Sequence, residues 1–417
     1  MLITELPQSG KIKMVAAGFT RSDASSRGVA LQRAPRSAYP LKDLARCSDA
    51  VLIFEECLAD QIDQSLASLW EEIPDDKTAF IALVPRGAAP IVDSSYGDPV
   101  TSFFCSSEVF ARFAALGIDC WSQTLCFAVL RAIARRDIEV DCLLVRQVPF
   151  LRRRVNGHQA AAKALLIPHR GEADHLRAAL TFAGKSAENS LKIRVGLDVE
   201  ECGEYAAFPA EYPGVEFVKF SPAPVGPYVI RQELAENSAE PLLTLQDSDD
   251  LSCYDRFVMQ SNALAETGCD IVGSHELCLD EMRGVVQPVR FPLDSSAALA
   301  LCANHALLHG TLMTYRSVFF DLGGLSTDLI IANDTQFLLR AHFNSSIRNV
   351  DEFLYIRRRH AASLTNAPET VFDNPLRRRL SSVWTHDFDA IKRGELKIED
   401  SSLRPVRRLE PWRAERI

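Results

Sequence analysis

Residues 242 to 250 read LLTLQDSDD, an apolar run that stops at three carboxylates, Asp247, Asp249 and Asp250. Acids this close raise one another's pKa, so a positive group normally sits among them. A divalent cation would serve; so would a solvated turn in which Asp and Ser side chains bond nearby backbone. An EF-hand loop counted from Asp247 would need Gly at position 6 and Glu at position 12, and the chain has Ser252 and Val258 there.

The flanking elements place this cluster. KALLIP reads as a buried strand, EADHLRAALTFAG as an amphipathic helix, and LKIRVGLD and VEFVKF as two further strands. The pattern continues with helical PYVIRQELAENSA, strand LLTLQ, helical CYDRFVMQSNALAETG and strand DIVGSHELCL. Alternation of this kind implies a parallel α/β sheet, and in such sheets ligands bind outside the carboxyl ends of the strands, where the three acids fall. A basic, Asn-Gly-containing stretch at 150 to 163, FLRRRVNGHQAAAK, marks a domain boundary.

Several chemistries are excluded. Ala183-Gly184-Lys185-Ser186 imitates the end of a phosphate-binding loop, but its leading glycine would be Ala179, inside a helix. His158, His175, His275 and His342 lack zinc-ligand spacing, and there is no G-x-S-x-G elbow. With 417 residues, 47% hydrophobic and 24% charged, the chain has a globular composition, and its net charge of −9 speaks against nucleic acid as a partner. Eleven cysteines without a C-x-x-C pair suggest reduced thiols and a cytoplasmic setting. The start, MLITELPQSGKIK, has no leader pattern, and no stretch is apolar enough to span a membrane.

Taken in order, the motifs over about 163 to 366 resemble the inverting glycosyltransferases of family 2, which have the GT-A fold. KALLIPHRGEADHLRAAL resembles that fold's opening strand and helix, and LKIRVGLDVEE its second strand. GPYVIRQ is similar to the family's G-x-x-x-x-R-N, with Gln232 in place of Asn. LQDSDD matches the metal-binding D-x-D. HGTLMTYRSVFFDLGGLSTDLIIANDTQFLLRA resembles the segment that ends in E-D, with Asn333 in place of the Glu, and YIRRRHAASLT resembles the closing segment.

The resemblance implies a GT-A-type, Rossmann-like mixed sheet flanked by helices, and a set of roles. Pro168, Asp198, Arg231 and Asp247 would bind the nucleotide sugar, Asp198 through the base and Arg231 through the diphosphate. Asp249 would ligate Mn²⁺ or Mg²⁺, with Asp247 on the ribose or on the metal through water, and His360 beside the metal or the diphosphate. A hard cation suits a diphosphate leaving group, whose developing charge it neutralises. Asp334 would be the base that inversion requires on the far face of the sugar. His309 and Tyr315 would line the acceptor side. Local alternatives remain: Asp250 as a helix cap, Arg231 as a solvated helix residue, Asp334 as a complement to a helix N-terminus, His360 on a solvated basic edge, and His309 and Tyr315 as packed core.

Before this unit, residues 1 to 155 read as a smaller, degenerate α/β domain that partly repeats it. LARCSDAVLIFEE is similar to LAENSAEPLLTLQD. At a constant offset of 209, Val109-Phe110 pairs with Val318-Phe319, Leu116 with Leu325, Asp119 with Asp328 and Leu130-Arg131-Ala132 with Leu339-Arg340-Ala341. Leu125 then stands where Asp334 would be. Two amphipathic helices would share some identities without any repeat. The reading is therefore a degenerate domain at 1–155, a catalytic domain at 160–370 and a helical basic tail at 371–417, the tail either packing on the body or touching an anionic membrane at its inner face. The function expected is metal-dependent, inverting transfer of a sugar from a nucleoside-diphosphate sugar, UDP-linked by preference, to a glycan or lipid-linked hydroxyl in bacterial surface polysaccharide synthesis. The alternatives are a nucleotidyltransferase and a non-catalytic nucleotide- or glycan-binding relative. Oligomeric state is not indicated by the sequence.

Overall fold

The computed structural model describes residues 2–5, 14–19, 50–55, 61–62, 66–71, 77–87, 95–116, 125–150, 161–188, 190–329, 331–366, 374–408 and 411–417. Asp119, His158 and most of the boundary stretch lie outside these residues.

Two sheets organise the chain. The first contains β1 (Leu2–Glu5), β2 (Met14–Phe19), β3 (Ala50–Glu55), β4 (Ala79–Pro85), β6 (Ser102–Ser106) and β7 (Cys142–Val148), in the order β1-β2-β3-β6-β4-β7. β5 (Ser95–Tyr96) pairs instead with β14 (Val285–Arg290) of the second sheet. That sheet runs β12 (Leu251–Ser252), β16 (Ile347–Arg359), β13 (Ile271–Asp280), β15 (Met313–Tyr315), β11 (Leu242–Leu245), β8 (Lys163–His169), β9 (Leu191–Leu197), β10 (Val215–Ser221) and β17 (Arg413–Arg416).

The sheet is mixed, as the resemblance implied, although strand–helix alternation alone suggested a parallel one. β11, β8, β9 and β10 are mutually parallel, and each is joined to the next through a crossover. The short strand β15 then inserts antiparallel between β11 and β13. A three-residue strand after the His309–Thr311 turn is too brief for periodicity to announce. The helices used below are α1 (Ser107–Ala115), α2 (Leu125–Ala134), α3 (Ala173–Gly184), α4 (Pro227–Glu236), α5 (Arg256–Thr267), α6 (Arg316–Asp321), α7 (Asn333–Ala341) and α8 (Pro375–Lys392).

Within the first sheet the path β3-β6-β4-β7 has its neighbours antiparallel, antiparallel and parallel. The path β11-β15-β13-β16 has the same chain order and the same three directions. α1 and α2 lie between β6 and β7 as α6 and α7 lie between β15 and β16. Phe110 and Phe319 each occupy the fourth position of their helix, and both are buried. The sheets differ beyond this path. β3 carries the antiparallel pair β2-β1 on its outer edge, whereas β11 carries the parallel strands β8, β9 and β10.

One apolar cluster spans both units: Val129 and Ile133 of α2 and Phe103 of β6 pack with Leu277, Leu279, Phe353 and Ile356. Arg131 of α2 and Arg135 just past it meet Glu281, at 3.6 and 3.3 Å, and Glu281 also binds Arg358 at 2.7 Å. The C-terminal region packs on the body. α8 is capped by Asn374 and buries Trp384 and Phe388 against the α7 side of the core. The tail was expected to be helical, yet it ends in β17, which adds to the edge of β10. All four β17 residues are exposed, so the pairing is a backbone one that no apolar pattern could signal. Among the described residues no helix is long and apolar enough to cross a membrane.

Candidate functional site

The acidic loop leaves the carboxyl end of β11 and folds around Gln246. Gln246 Nε2 donates to Asp250 O at 3.1 Å, and its Oε1 accepts from Ser252 Oγ at 2.6 Å. This inward closure turns the three acids in different directions. Asp247 is half exposed, is paired with Arg231, and has its N–H bonded to Tyr355 Oη at 3.1 Å. Asp249 Oδ2 meets His360 Nε2 at 2.9 Å. Asp250 is buried, and its Oδ1 accepts from the Arg358 N–H at 2.7 Å. Asp250 is therefore an anchor to β16. It does not cap the next helix, whose first flanking residue is Asp255.

The electrostatics differ accordingly. Burial, together with the charges of Asp249 and Asp247, pushes the Asp250 carboxyl well above the usual carboxylate range. Burial acts on Asp249 in the same sense, but the hydrogen bond and charge of His360 outweigh it and hold that carboxyl below its ordinary value. The His175 ring lies 4.5 Å from the His360 ring, and burial, with Arg358 and His360 nearby, lowers the His175 pKa.

Arg231 is 3% exposed. Besides its bond to Asp247 it approaches His309 Nδ1 at 3.5 Å, and its Nε has no partner. It is thus a buried cation at the site, not a solvated one. His309 is 6% exposed, and burial beside Arg231 lowers its pKa to about 3, so the ring is neutral at neutral pH. Its Nε2 is also without a partner. The Tyr228 ring lies 6.0 Å from that of His309, and Tyr228 Oη donates to Asp334 Oδ1 at 3.1 Å.

Asp334 sits in the first turn of α7, after Ala332 in a left-handed conformation at φ 65°. Burial works against its charge, but His305, His309, the Thr335 N–H and Tyr228 together keep its pKa below the ordinary value. The carboxylate is consequently ionised at neutral pH and can receive a proton, and it also complements the helix N-terminus. Asn333 is fully buried, and its Nδ2 donates to Leu329 O at 2.7 Å, closing the loop before α7. Gln232 accepts from the Leu325 N–H at 2.9 Å and packs so close to Gly324 that an added Cβ would stand 2.4 Å from Gln232 Oε1. Gly324, at φ 66°, needs both the room and the left-handed backbone.

On the opposite flank, Pro168 of β8 is in register with Gly196 of β9. Asp198, just past β9, accepts from the N–H groups of Val225 and Gly226 at 2.8 and 3.1 Å, so its two oxygens shape the turn that opens α4. Tyr315 is not brought to the cluster. It pairs with Leu242 at the start of β11, the end opposite the acids.

Four participants escaped the sequence reading. His169 links Ser248 Oγ at 2.8 Å to Tyr205 Oη at 3.0 Å, and burial lowers its pKa to about 4. Tyr228 could have been found, since it lies one helical turn before Arg231 and Gln232. His305, whose Nδ1 is 3.4 Å from Thr335 Oγ1, and Tyr355, within a strand, carry no spacing signal.

No known protein family matches the chain, and no curated protein is detectably similar in sequence. Among solved structures it is similar to residues 1–349 of S. aureus TarS in complex with UDP-GlcNAc, at 12% identity and a TM-score of 0.43, over 55% of this chain and 73% of that one. It is also similar to the mannosyltransferase PcManGT from Pyrobaculum calidifontis in complex with GDP-Man and Mn²⁺, at 16% identity and a TM-score of 0.40, over 56% and 64%. Likeness at that level leaves the functional reading to the residues of this chain.

Proposed function

We propose that the chain is a glycosyltransferase that moves a sugar from a nucleoside diphosphate to an acceptor hydroxyl with inversion, and that residues 160–370 carry the reaction. The supporting observation is an unbroken series of contacts, Asp334 to Tyr228 to His309 to Arg231 to Asp247, which joins a shielded ionised carboxylate to a strand-end acidic loop.

Each residue then has a task. Arg231 offers its guanidinium fork to phosphate oxygens and in doing so gives up its pairing with Asp247. Asp247 faces the ribose. Asp334 accepts the proton of the attacking hydroxyl, with Tyr228 holding the carboxylate in place. His309, neutral and with an unpartnered Nε2, is placed to donate a hydrogen bond to a substrate oxygen. The nucleotide base lies along Pro168 and the turn that Asp198 supports.

A divalent cation fits these residues as a shared ligand. Asp249 and His360 supply one oxygen and one nitrogen donor already side by side. Among the described residues no three acidic, histidine or cysteine side chains form a ready cage, so the remaining donors would come from the diphosphate and water. When bound, the cation neutralises charge on the leaving diphosphate. The acceptor is a glycan or lipid-linked hydroxyl, and the site of action is the cytoplasm or the inner membrane face. The first sheet is read as a copy of the back half of the catalytic sheet that lacks its chemistry. Incubation with a panel of UDP- and GDP-sugars and Mn²⁺ or Mg²⁺ tests this reading. Metal-dependent release of nucleoside diphosphate from one donor class is expected, and its absence across the panel contradicts it.

A further inference from the structure

Arg256, the first residue of α5, is 0% exposed. Among the described residues no carboxylate touches its guanidinium. Instead each nitrogen is bonded to neutral acceptors on different segments. Nε donates to Gln260 Oε1 at 3.0 Å, and Nη1 donates to Ser252 Oγ at 3.0 Å and to Gln246 Oε1 at 3.5 Å. Nη2 donates to Leu245 O at 2.7 Å, to Gly310 O at 2.8 Å and to Thr244 Oγ1 at 3.4 Å. The Tyr355 ring stacks on it at 4.8 Å, and the Tyr355 hydroxyl in turn holds the Asp247 N–H.

Burying an arginine is far more costly than burying an apolar side chain of equal size, so what it organises is informative. Two of its acceptors belong to the last residue of β11 and to the amide that folds the acidic loop. A third belongs to the turn that carries His309. Gln260, fixed by Arg256, bonds the same turn through Thr311 O at 2.5 Å. A Cβ on Gly310 would stand 2.8 Å from Tyr355 Oη, so the turn sits directly on the group that holds Asp247.

We infer that Arg256 is a positioning residue that fixes the acidic loop and the His309 turn as one unit. It therefore sets the distance between the donor side and the acceptor side of the reaction. That assignment of sides rests on the glycosyltransferase reading; the mechanical claim does not. A lysine at this place would retain charge but present one nitrogen, which cannot hold Gln260, the Ser252 and Gln246 side chains, and the Leu245 and Gly310 carbonyls at once as the three guanidinium nitrogens do.

Hydrogen exchange on the full chain, comparing the parent with Arg256→Lys and Arg256→Met, tests the mechanical claim without a ligand. Exchange at 246–252 and at 309–312 is expected to rise together, by ~10-fold or more, while β8 and β9 keep the protection of the parent. If only one segment loosens, if neither does, or if protection falls evenly through β8 and β9 in both variants, the proposal is overturned. Should the methionine variant fail to fold, the lysine variant decides. If neither folds, Arg256 is a general stabiliser and the proposal fails. Titration with Mn²⁺ and UDP or GDP forms the second arm. Affinity that drops ~10- to 100-fold in the variants supports the role, and unchanged affinity opposes it. A parent protein that binds neither nucleotide refutes the glycosyltransferase reading, and exchange then judges Arg256 alone.

Discussion

The paths β3-β6-β4-β7 and β11-β15-β13-β16 share strand order, strand direction and the placement of two connecting helices. The second carries strand-end acids in contact with Arg231 and His360, with His309 against Arg231. At the helix start where α7 has Asp334, α2 has Leu125, which is buried in the apolar seam between the sheets. Beside β11 stand the parallel strands that bring His169 to Ser248 of the acidic loop and carry Pro168 and Asp198 at their carboxyl ends, and beside β3 stands a hairpin-like pair. The backbone path is thus indifferent to chemistry. What makes a site is the front half of the sheet and the polar residues at strand ends and helix starts.

The largest effect expected from breaking this contrast is at Asp334. Asp334→Asn preserves shape and removes the proton acceptor, so transfer should slow by ~10²-fold or more while donor affinity is retained, as read by kcat against donor Kd. Retained transfer would reject the base; a failure to fold would leave Asp334 as a helix-terminus residue. The reciprocal change, Leu125→Asp, should create no activity. It should lower unfolding stability by roughly 3 kcal/mol in denaturant titration, because it buries an unpaired carboxyl among Val129, Phe110 and their neighbours.

The sequence made most of this legible where periodicity was long. The strands at 163–169, 191–197 and 215–221, and the helices over 173–184 and 256–267, lie where the apolar spacing placed them. Of the residues the resemblance grouped, Arg231 meets Asp247 and His309, and Asp249 meets His360, while Asp334 joins them by way of Tyr228. The missed residues share a physical reason. His169, Tyr355 and Arg256 act from buried positions through contacts that include partners far along the chain, and a buried polar residue looks like an error in an apolar pattern until its partners are seen. Tyr315 shows the converse: the resemblance put it on the acceptor side, whereas strand pairing puts it beside the start of β11, the end away from the acids.

The link between the two regions should matter less than either. Glu281 gathers Arg131 from α2, Arg135 just past it and Arg358 from β16. Glu281→Gln should cost roughly 2 kcal/mol of stability, since Arg358 is left buried with a weaker partner. Thermal unfolding would show this, and a loss no greater than that of an exposed substitution would mean that the Glu281 cluster does not help to join the sheets.

The smallest effect expected is a slope. Burial lowers His169 to about 4 and His309 to about 3, below the ordinary histidine value, so the unfolded chain binds more protons than the folded one between those values and about 6.5. Stability should therefore be fully present above pH ~6.5 and fall as the pH drops, by at most ~1.4 kcal/mol per pH unit for each ring. His309→Gln should flatten the curve between pH 6.5 and 5. An unchanged slope would show that His309 is not buried as a neutral group.

The strand-end acidic loop is the centre of the account, and calorimetry with UDP or GDP in the presence of Mn²⁺ addresses it most directly. The parent should bind one of the two nucleotides only when the metal is present. Asp249→Asn, which removes one ligand charge and keeps the side chain's size, should abolish the metal dependence and weaken binding by ~10²-fold. Equal affinity in the two proteins, with the same metal requirement, would contradict the assignment and return Asp247, Asp249 and Asp250 to the status of a charged turn.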